Sequence, residues 1–556
     1  MMDSKRSFLE LLIGALLITF SDCLSSEQEL KIDTLVRDVF MAESAIPGVG
    51  VTIVENNGES IFFNGYGYSD IERNIKADGN TKFCIASITK TFTATLVMKV
   101  LSETFPKLGP PVLDTPLRIL HPNGTFMFSD RFRYESMSFR DLLSHRAGLQ
   151  TEYFGSSFGA FKDIDELLYR SRYAPEMASF RAGSLYSNTL VALAGTLIGE
   201  IGGRPYGVLL QDFFDQLGMN DSIQIDQHTN YDLVLNMSRG YFLENGVVKQ
   251  LNSALIKQDR NLGFVDAPAG AIITTANDMA KYIKFHLENG RVGDKQVVSQ
   301  EALLWMRQPA AAFDYMLFRS VNSSLVAGLY ATGSGAQLGV FDGWEFMSHT
   351  GLWATFESEM RIYPRLGFGT FSVSNGPIEL SNIRYNHSFI QNSLFAIVNG
   401  LSSGARIEPT DLTKSSNFSD IVSESLEKYL AGKQLPLQNI SQESFVGNYG
   451  HPVEGDIEIT SRNGTLYFRY GTWGKGYLNQ HPKHPVYYVI WDSDFVQIIY
   501  FVAGGLVDTF FSFESENTCS FIIFGEVITF QRDVSLATLP KIPWKPETCA
   551  PEQKFG

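Results

Sequence analysis

The run Phe83-Cys84-Ile85-Ala86-Ser87-Ile88-Thr89-Lys90 sets a hydroxyl and an amine three residues apart. Helical periodicity starts at Ser87 and continues to Leu101, with no proline before Pro106, so Ser87 is predicted at a helix N-terminus with Lys90 on the same face. A serine hydroxyl is a poor nucleophile until a base takes its proton, and a lysine partly withdrawn from water is able to do so. Backbone N–H groups at the helix start, that of Ser87 included, would then face a developing oxyanion. The chemistry is acyl transfer through serine. Ser-x-x-Lys is a weak signal alone, since it recurs at Ser425 and Lys428 beside Glu424 and Glu427, where it reads as a solvated helix face. Taken singly, Ser87 is equally a helix cap, Tyr186 a core aromatic and His349 a strand-end residue bonded to backbone.

A rival nucleophile lies in Gly155-Ser156-Ser157-Phe158-Gly159, which matches the Gly-x-Ser-x-Gly elbow. An elbow follows a buried strand, and the preceding residues include Gln150, Thr151 and Glu152, so this segment reads as a flexible loop near a pocket mouth. His145 beside it reads as a structural histidine.

Order lifts the first serine above the rest. Tyr186-Ser187-Asn188 and then His349-Thr350-Gly351 follow it, and in that order the chain resembles the serine β-lactamase and penicillin-binding superfamily, in its class C-like, esterase and D-aminopeptidase-like branch. Further blocks agree with it: Pro47-Gly48-Val49-Gly50-Val51, Gly65-Tyr66-Gly67-Tyr68, Asp141-Leu142-Leu143-Ser144-His145-Arg146-Ala147-Gly148-Leu149, Gly183-Ser184-Leu185 and Thr274-Thr275-Ala276-Asn277-Asp278-Met279. The resemblance covers most of residues 45–400.

It implies that Ser87, Lys90 and Tyr186 are catalytic, Tyr186 sharing general-base and general-acid duty with Lys90. It implies that Asn188 positions the substrate or Lys90. His349, Thr350 and Gly351 would form an edge strand beside the pocket, with the Leu352 N–H completing the oxyanion hole. Neither a metal nor a cofactor is implied. Leu352-Trp353 stands where many relatives carry a second glycine, and Ala267-Pro268-Ala269-Gly270-Ala271 replaces a more glycine-rich block. Histidine in place of lysine at position 349 removes a fixed positive charge near pH 7, which argues against carboxylate-ended substrates.

The elements that must position these residues are legible in outline. An amphipathic helix is predicted over residues 30–41, strands over 48–54 and 60–67 around Asn56-Asn57-Gly58, helices over 190–201 and 276–287, and strands over 356–362 and 368–374. Strands at both ends with helices between them predict an α+β domain at residues 27–400, an antiparallel sheet flanked by helices and closed by distant parts of the chain. Residues 401–440 read as a linker containing a short polar helix. Residues 441–535 alternate like strands, at 457–460 and 466–470 around Asn463-Gly464, then at 486–491, 495–502, 506–513 and 520–530. They predict a small all-β domain, barrel or sandwich, resembling loosely the lipocalin-like domain of some relatives, with a tail at 536–556. The apolar residues 495–513 fit a hairpin better than a membrane span, because Gly504-Gly505 interrupts them and Asp508 follows.

With 45 Lys and Arg against 60 Asp and Glu and no basic block, the chain would repel a phosphate backbone, which excludes nucleic acid as a partner. Lys5 and Arg6 before the apolar residues 8–20 read as a signal peptide over 1–23; Glu10 inside the run leaves a retained anchor as the alternative. With the acceptor triplets at Asn123, Asn220, Asn236, Asn322, Asn386, Asn417, Asn439 and Asn463, the leader predicts a secreted, extracellular glycoprotein without a stable membrane span. Cys84 reads as a buried free thiol, while Cys519 and Cys549 are candidates to pair. The chain is therefore expected to hydrolyse an ester, amide or small peptide through an acyl-serine. A second reading, a catalytically weak or inactive structural or binding component of an extracellular matrix, draws on the acceptor sites, the acidic charge and the appended β-domain.

Overall fold

The computed structural model describes residues 24–542 apart from 125, 151–153, 226–235, 245–246, 252–264, 313–318, 323–324, 378–385, 403, 405–406, 408–429, 431–440, 483, 485, 493–508 and 524–525. The leader, the polar linker helix, Cys549 and most of the apolar residues 495–513 thus lie outside the described residues.

Asn56 and Asn57 take left-handed φ values of 49° and 56°, which asparagine tolerates, and so turn β1 (Gly48–Glu55) back into β2 (Ser60–Asp70). The other central strands arrive some 270 residues later in the chain: β3 (Leu325–Thr332), β4 (Gln337–Phe341), β5 (Trp344–Trp353), β6 (Phe356–Tyr363) and β7 (Phe368–Ser374). They assemble in the order β3-β4-β5-β6-β7-β1-β2 as the centre of a ten-stranded sheet whose pairs are antiparallel. Val49↔Ser374 is one of the pairs by which the first strand closes on the last.

Helices cover both faces. The long α1 (Thr89–Thr104) is buried along most of its length and packs against α2 (Asn188–Ile201), while α3 (Ala276–Leu287) lies on β1 and β7. On the opposite face α4 (His387–Asn399) lies on β6 and β7 beside the N-terminal helix. That first helix departs from the predicted 30–41: Ser25 and Gln28 form a reciprocal cap that starts it at Ser26, and it runs as an α-helix to Thr34 before widening to π geometry over Leu35–Met41.

Beyond the residues expected to form a linker, eight antiparallel strands close a barrel: β8 (Gly447–His451), β9 (Gly455–Arg462), β10 (Thr465–Tyr470), β11 (Gly474–Gln480), β12 (Tyr487–Trp491), β13 (Phe510–Ser515), β14 (Thr518–Ile523) and β15 (Glu526–Arg532). The barrel form of the predicted all-β domain is the one present. The single run read at 520–530 is in fact two strands, paired from Thr518↔Gln531 to Ile523↔Glu526. Continuous apolar sequence hid the reversal, because both halves send aromatic side chains inward. The lumen holds fully buried Phe468, Phe511, Phe513, Phe521 and Phe530, with Cys519 among them as a free thiol.

Candidate active site

The two-residue strand Phe83–Cys84 pairs with Ile272–Thr274, and the Ile85 N–H continues that ladder to the Ile272 carbonyl. Ala86 then adopts φ 46°, a left-handed conformation that costs an alanine about 1–2 kcal/mol. The turn throws Ser87 into a single 3-10 turn, Ala86–Ile88, and α1 begins only at Thr89. Ser87 is thus one turn earlier than a plain helix start, held at the junction by a strained residue of the kind found at functional sites.

Lys90 is completely buried, and its Nζ donates to Ser87 Oγ at 2.9 Å and to the Ala269 carbonyl at 2.7 Å. Tyr186 donates its hydroxyl to the same Oγ at 2.8 Å. The Lys90 ammonium also lies 4.8 Å from the centre of the Tyr186 ring. Amine and phenol therefore meet on one hydroxyl from segments almost a hundred residues apart. Asn188 opens α2, half-buried, two residues beyond Tyr186.

The tyrosine is set by a segment on which sequence reasoning placed only a structural histidine. The Leu185 N–H donates to the His145 carbonyl at 2.7 Å, and the Ser187 N–H to His145 Nδ1 at 3.1 Å. The imidazole packs against the Tyr186 ring with centroids 4.6 Å apart. His145 itself has φ 61°, and below it the buried Asp141 carboxylate binds Arg146 and Arg181 at 2.6 and 2.7 Å. Burial acts to raise the Asp141 pKa, but Arg181, Arg146 and Ser138 outweigh it and hold the carboxyl below its usual range. The block from Asp141 to Leu149 carried the signal, but its role as a cradle for Tyr186 depends on contacts across the fold.

On the far wall, β5 is paired on both sides as far as Ser348 and by β6 alone beyond it. A Cβ on Gly351 would stand 2.2 Å from the Ile85 carbonyl oxygen and 2.4 Å from Ser358 Oγ, so only glycine lets this edge lie against the turn that carries Ser87. Ser358 Oγ fixes that approach by donating to the same Ile85 carbonyl at 3.0 Å. Leu352 follows with 49% of its surface exposed, and Thr350 is also exposed.

His349 is buried at the same strand end, its ring 6.3 Å from that of Tyr186. Because the Thr350 carbonyl is only an acceptor, the 2.6 Å contact makes His349 Nδ1 the protonated nitrogen and Nε2 an acceptor. His145 has the reverse tautomer, since its Nδ1 accepts the Ser187 N–H. Burial, and then the Lys90 charge, push both imidazoles down to about 3, so both are neutral at pH 7. Asp266, which precedes the turn Ala267–Gly270, was missed in the sequence; burial pushes its carboxyl up to about 6 against the pull of Lys90. Its signal was an acidic residue ahead of Ala267-Pro268, legible only as a cap.

Gly155-Ser156-Ser157-Phe158-Gly159 is a correction. It is no open loop: Phe154–Ser157 form a short helix and Phe158 is buried against the barrel. Among the described residues, no group of three or more His, Cys, Asp or Glu is arranged to hold a metal ion, and no helix is long and apolar enough to cross a membrane.

The family model described as Beta-lactamase matches residues 33–391. The unguisins hydrolase ungD of Aspergillus violaceofuscus (strain CBS 115571) is 25% identical over 343 residues, covering 59% of this chain and 58% of that protein. Protein flp of Staphylococcus aureus (strain MW2) is 25% identical over 280 residues, covering 48% of this chain and 50% of its own length. The chain thus spans between half and three-fifths of the length of these relatives. Among solved structures, the octameric penicillin-binding protein homologue from Pyrococcus abyssi shares the fold at a TM-score of 0.54 and 18% identity, over 90% of this chain and 100% of that one.

Proposed function

The chain belongs to the beta-lactamase family, and from that premise we propose that it is a serine hydrolase that passes through an acyl-Ser87 intermediate. The observation that carries the reading is the convergence of Lys90 Nζ and Tyr186 OH on Ser87 Oγ, at 2.9 and 2.8 Å. Acylation starts from the form in which the Lys90–Tyr186 pair has given up one proton to solvent, and the Oγ proton passes to that pair as Oγ bonds to the substrate carbonyl carbon. The backbone N–H groups of Ser87 and Leu352 hold the resulting oxyanion. The alcohol or amine departs with the proton returned from the pair, and water activated by the same groups then cleaves the acyl-enzyme. Asn188 orients the substrate or Lys90.

The substrate is an ester, amide or small peptide, and its acyl part lacks a carboxylate near His349. Where a lysine would supply a cation, a neutral imidazole presents the Nε2 acceptor, and exposed Leu352 adds an apolar rim. A secreted glycoprotein is the location we propose, supported by the leader in the sequence and by acceptor asparagines 123, 220, 236 and 463 at exposed positions. Asn386 is a poorer acceptor, since it is half-buried and its side chain caps α4.

The test is labelling by a fluorophosphonate together with turnover of p-nitrophenyl esters, nitrocefin and D-amino-acid anilides. Wild type is expected to be labelled at Ser87 and to hydrolyse at least one uncharged ester. Ser87→Ala is expected to lose both, with a fall in turnover of about a thousandfold or more. Undiminished turnover by Ser87→Ala sinks the reading.

A further inference from the structure

The barrel resembles a ligand container, yet both ends of its lumen are stopped by aromatic rings from outside its strands. At one end Phe445, on the turn preceding β8, stacks on Phe513 with centroids 4.1 Å apart. At the other, Phe158 of the hydrolase domain enters among Tyr470, Trp491 and Phe521, at 5.0, 5.8 and 5.9 Å. Between the two stoppers the lumen is filled by its own rings, from Phe468 against Phe511 at 4.9 Å to Phe511 against Phe521 at 5.0 Å. A cavity so packed is a core rather than a calyx.

The contact at the Phe158 end is built in detail. The Phe158 and Gly159 carbonyls accept the N–H groups of Trp473 and Thr472 at 3.0 and 3.3 Å. Gly471 lets the backbones meet, because a Cβ there would lie 2.4 Å from the Phe158 carbonyl oxygen and 2.5 Å from Ala160 N. Glu454, on the β8–β9 turn and 1% exposed, accepts the Gly155 N–H at 3.1 Å with one oxygen and the Gln150 side-chain amide with the other. Its backbone carbonyl is tied down by the Tyr470 hydroxyl at 2.7 Å. Arg170, equally buried, donates to the His451 carbonyl at 3.1 Å and contacts Asp456 at 3.4 Å.

These anchors fall on the chain that cradles the catalytic tyrosine. Gln150 stands five positions after His145, whose carbonyl and ring nitrogen hold Leu185 and Ser187 on either side of Tyr186. Between them the Gln150 N–H is bonded to the Pro175 carbonyl, and the Met177 and Ala178 N–H groups to that of Gly148, so little slack is left in the segment.

We infer that the barrel is a brace for the active site and that Glu454 is a positioning residue, setting Tyr186 over Ser87 through Gln150 and the His145 turn. The inference rests on the acyl-serine reading for its kinetic consequence, not for its structural one. A buried carboxylate that receives two donors on one neighbouring segment fixes that segment's register, and a small displacement of a reacting group has a large cost in rate.

The test uses the full chain with Glu454→Gln, Phe158→Ala, and the exchange Gln150→Glu with Glu454→Gln. Two readouts are followed: amide hydrogen exchange in peptides covering residues 183–190, with 276–287 as internal control, and the rate of fluorophosphonate labelling at Ser87 as a function of pH. Glu454→Gln keeps the shape but loses one acceptor oxygen. It is expected to speed exchange at 183–190 and to slow labelling by about tenfold with a displaced pH profile, while the control peptide stays protected. The exchanged pair is expected to recover at least half of both effects. If Glu454→Gln and Phe158→Ala lower the melting temperature but leave exchange at 183–190 and the pH profile at wild-type values, the brace is overturned. If wild type is never labelled, the acyl-serine reading fails, and the exchange data still decide the brace.

Discussion

The candidate catalytic cleft and the barrel lumen are both flanked by strands, yet they are built by opposite means. The cleft buries Lys90, His145, His349 and Asp141, each satisfied by particular partners, and places non-glycine residues Ala86 and His145 in left-handed backbone. The lumen buries rings against rings, and the polar Tyr449 hydroxyl at its edge is discharged onto the Phe445 carbonyl at 2.9 Å. Two of the left-handed non-glycine residues and a buried lysine thus lie around Ser87, whereas the lumen is filled chiefly by packed rings. A lumen filled by rings suits the bracing role inferred for the barrel.

The largest effect separating the two regions is expected from one methyl group in the cleft. Gly351→Ala would place carbon 2.2 Å from the Ile85 carbonyl, so β5 must retreat from the nucleophile turn. Labelling of Ser87 is expected to fall by about a hundredfold or more. A labelling rate within threefold of wild type would show that the approach of β5 is not needed.

Deleting a whole ring from the lumen tests the converse. Phe513→Ala, at the end remote from Phe158, is expected to cost about 3–5 kcal/mol of stability, read from denaturant unfolding. Labelling per folded molecule should stay within twofold of wild type. Loss of labelling well below the melting transition would break the division between the regions.

Acid provides a third, graded distinction. His145, His349 and His387 of the beta-lactamase-family domain are held at about 3 by burial, with the Lys90 charge adding to it for the first two. Their folded values lie below that of an unfolded imidazole, near 6.5, so the unfolded chain takes up protons that the folded domain refuses. The stability they confer is complete above about pH 6.5 and is lost as pH falls towards 3. The melting temperature should drop steadily from pH 7 to pH 4, and His387→Gln, which removes one such group from between Ser372 and Ser374, should flatten the slope. A melting temperature independent of pH in wild type, or an unchanged slope in the variant, contradicts this account.

How much of this was open to sequence reasoning follows the same division. Ser87, Lys90 and Tyr186 were legible because a helical period and the order of short blocks fix residue types in sequence. The strands 356–362 and 368–374 were legible because apolar periodicity is a local property. What escaped depends on contacts between distant segments. The left-handed turn at Ala86 follows from the ladder to Ile272, the function of His145 from its packing on Tyr186, and the environment of Asp266 from a buried lysine. Gly155-Ser156-Ser157-Phe158-Gly159 was misread for the same reason. No pattern within it shows that Phe158 fills the end of a barrel more than three hundred residues away.

The smallest effect concerns specificity and probes the cleft's unusual charge. With both imidazoles neutral, Lys90 is the buried cation beside Ser87, and its donors are directed to Ser87 Oγ and the Ala269 carbonyl. His349→Lys adds a second cation at the edge strand, partly opposed by repulsion from Lys90. Because burial of the new ammonium and repulsion from Lys90 both offset it, the net attraction for a substrate carboxylate should be only about 1 kcal/mol. The ratio of kcat/KM for a p-nitrophenyl ester bearing a terminal carboxylate to that for its uncharged counterpart is therefore expected to rise by about fivefold, most strongly at low salt. If the ratio is unchanged or falls while the uncharged ester is still hydrolysed, the residue at position 349 does not set the charge of the substrate, and the acyl pocket must be read from Leu352 and Trp353 instead.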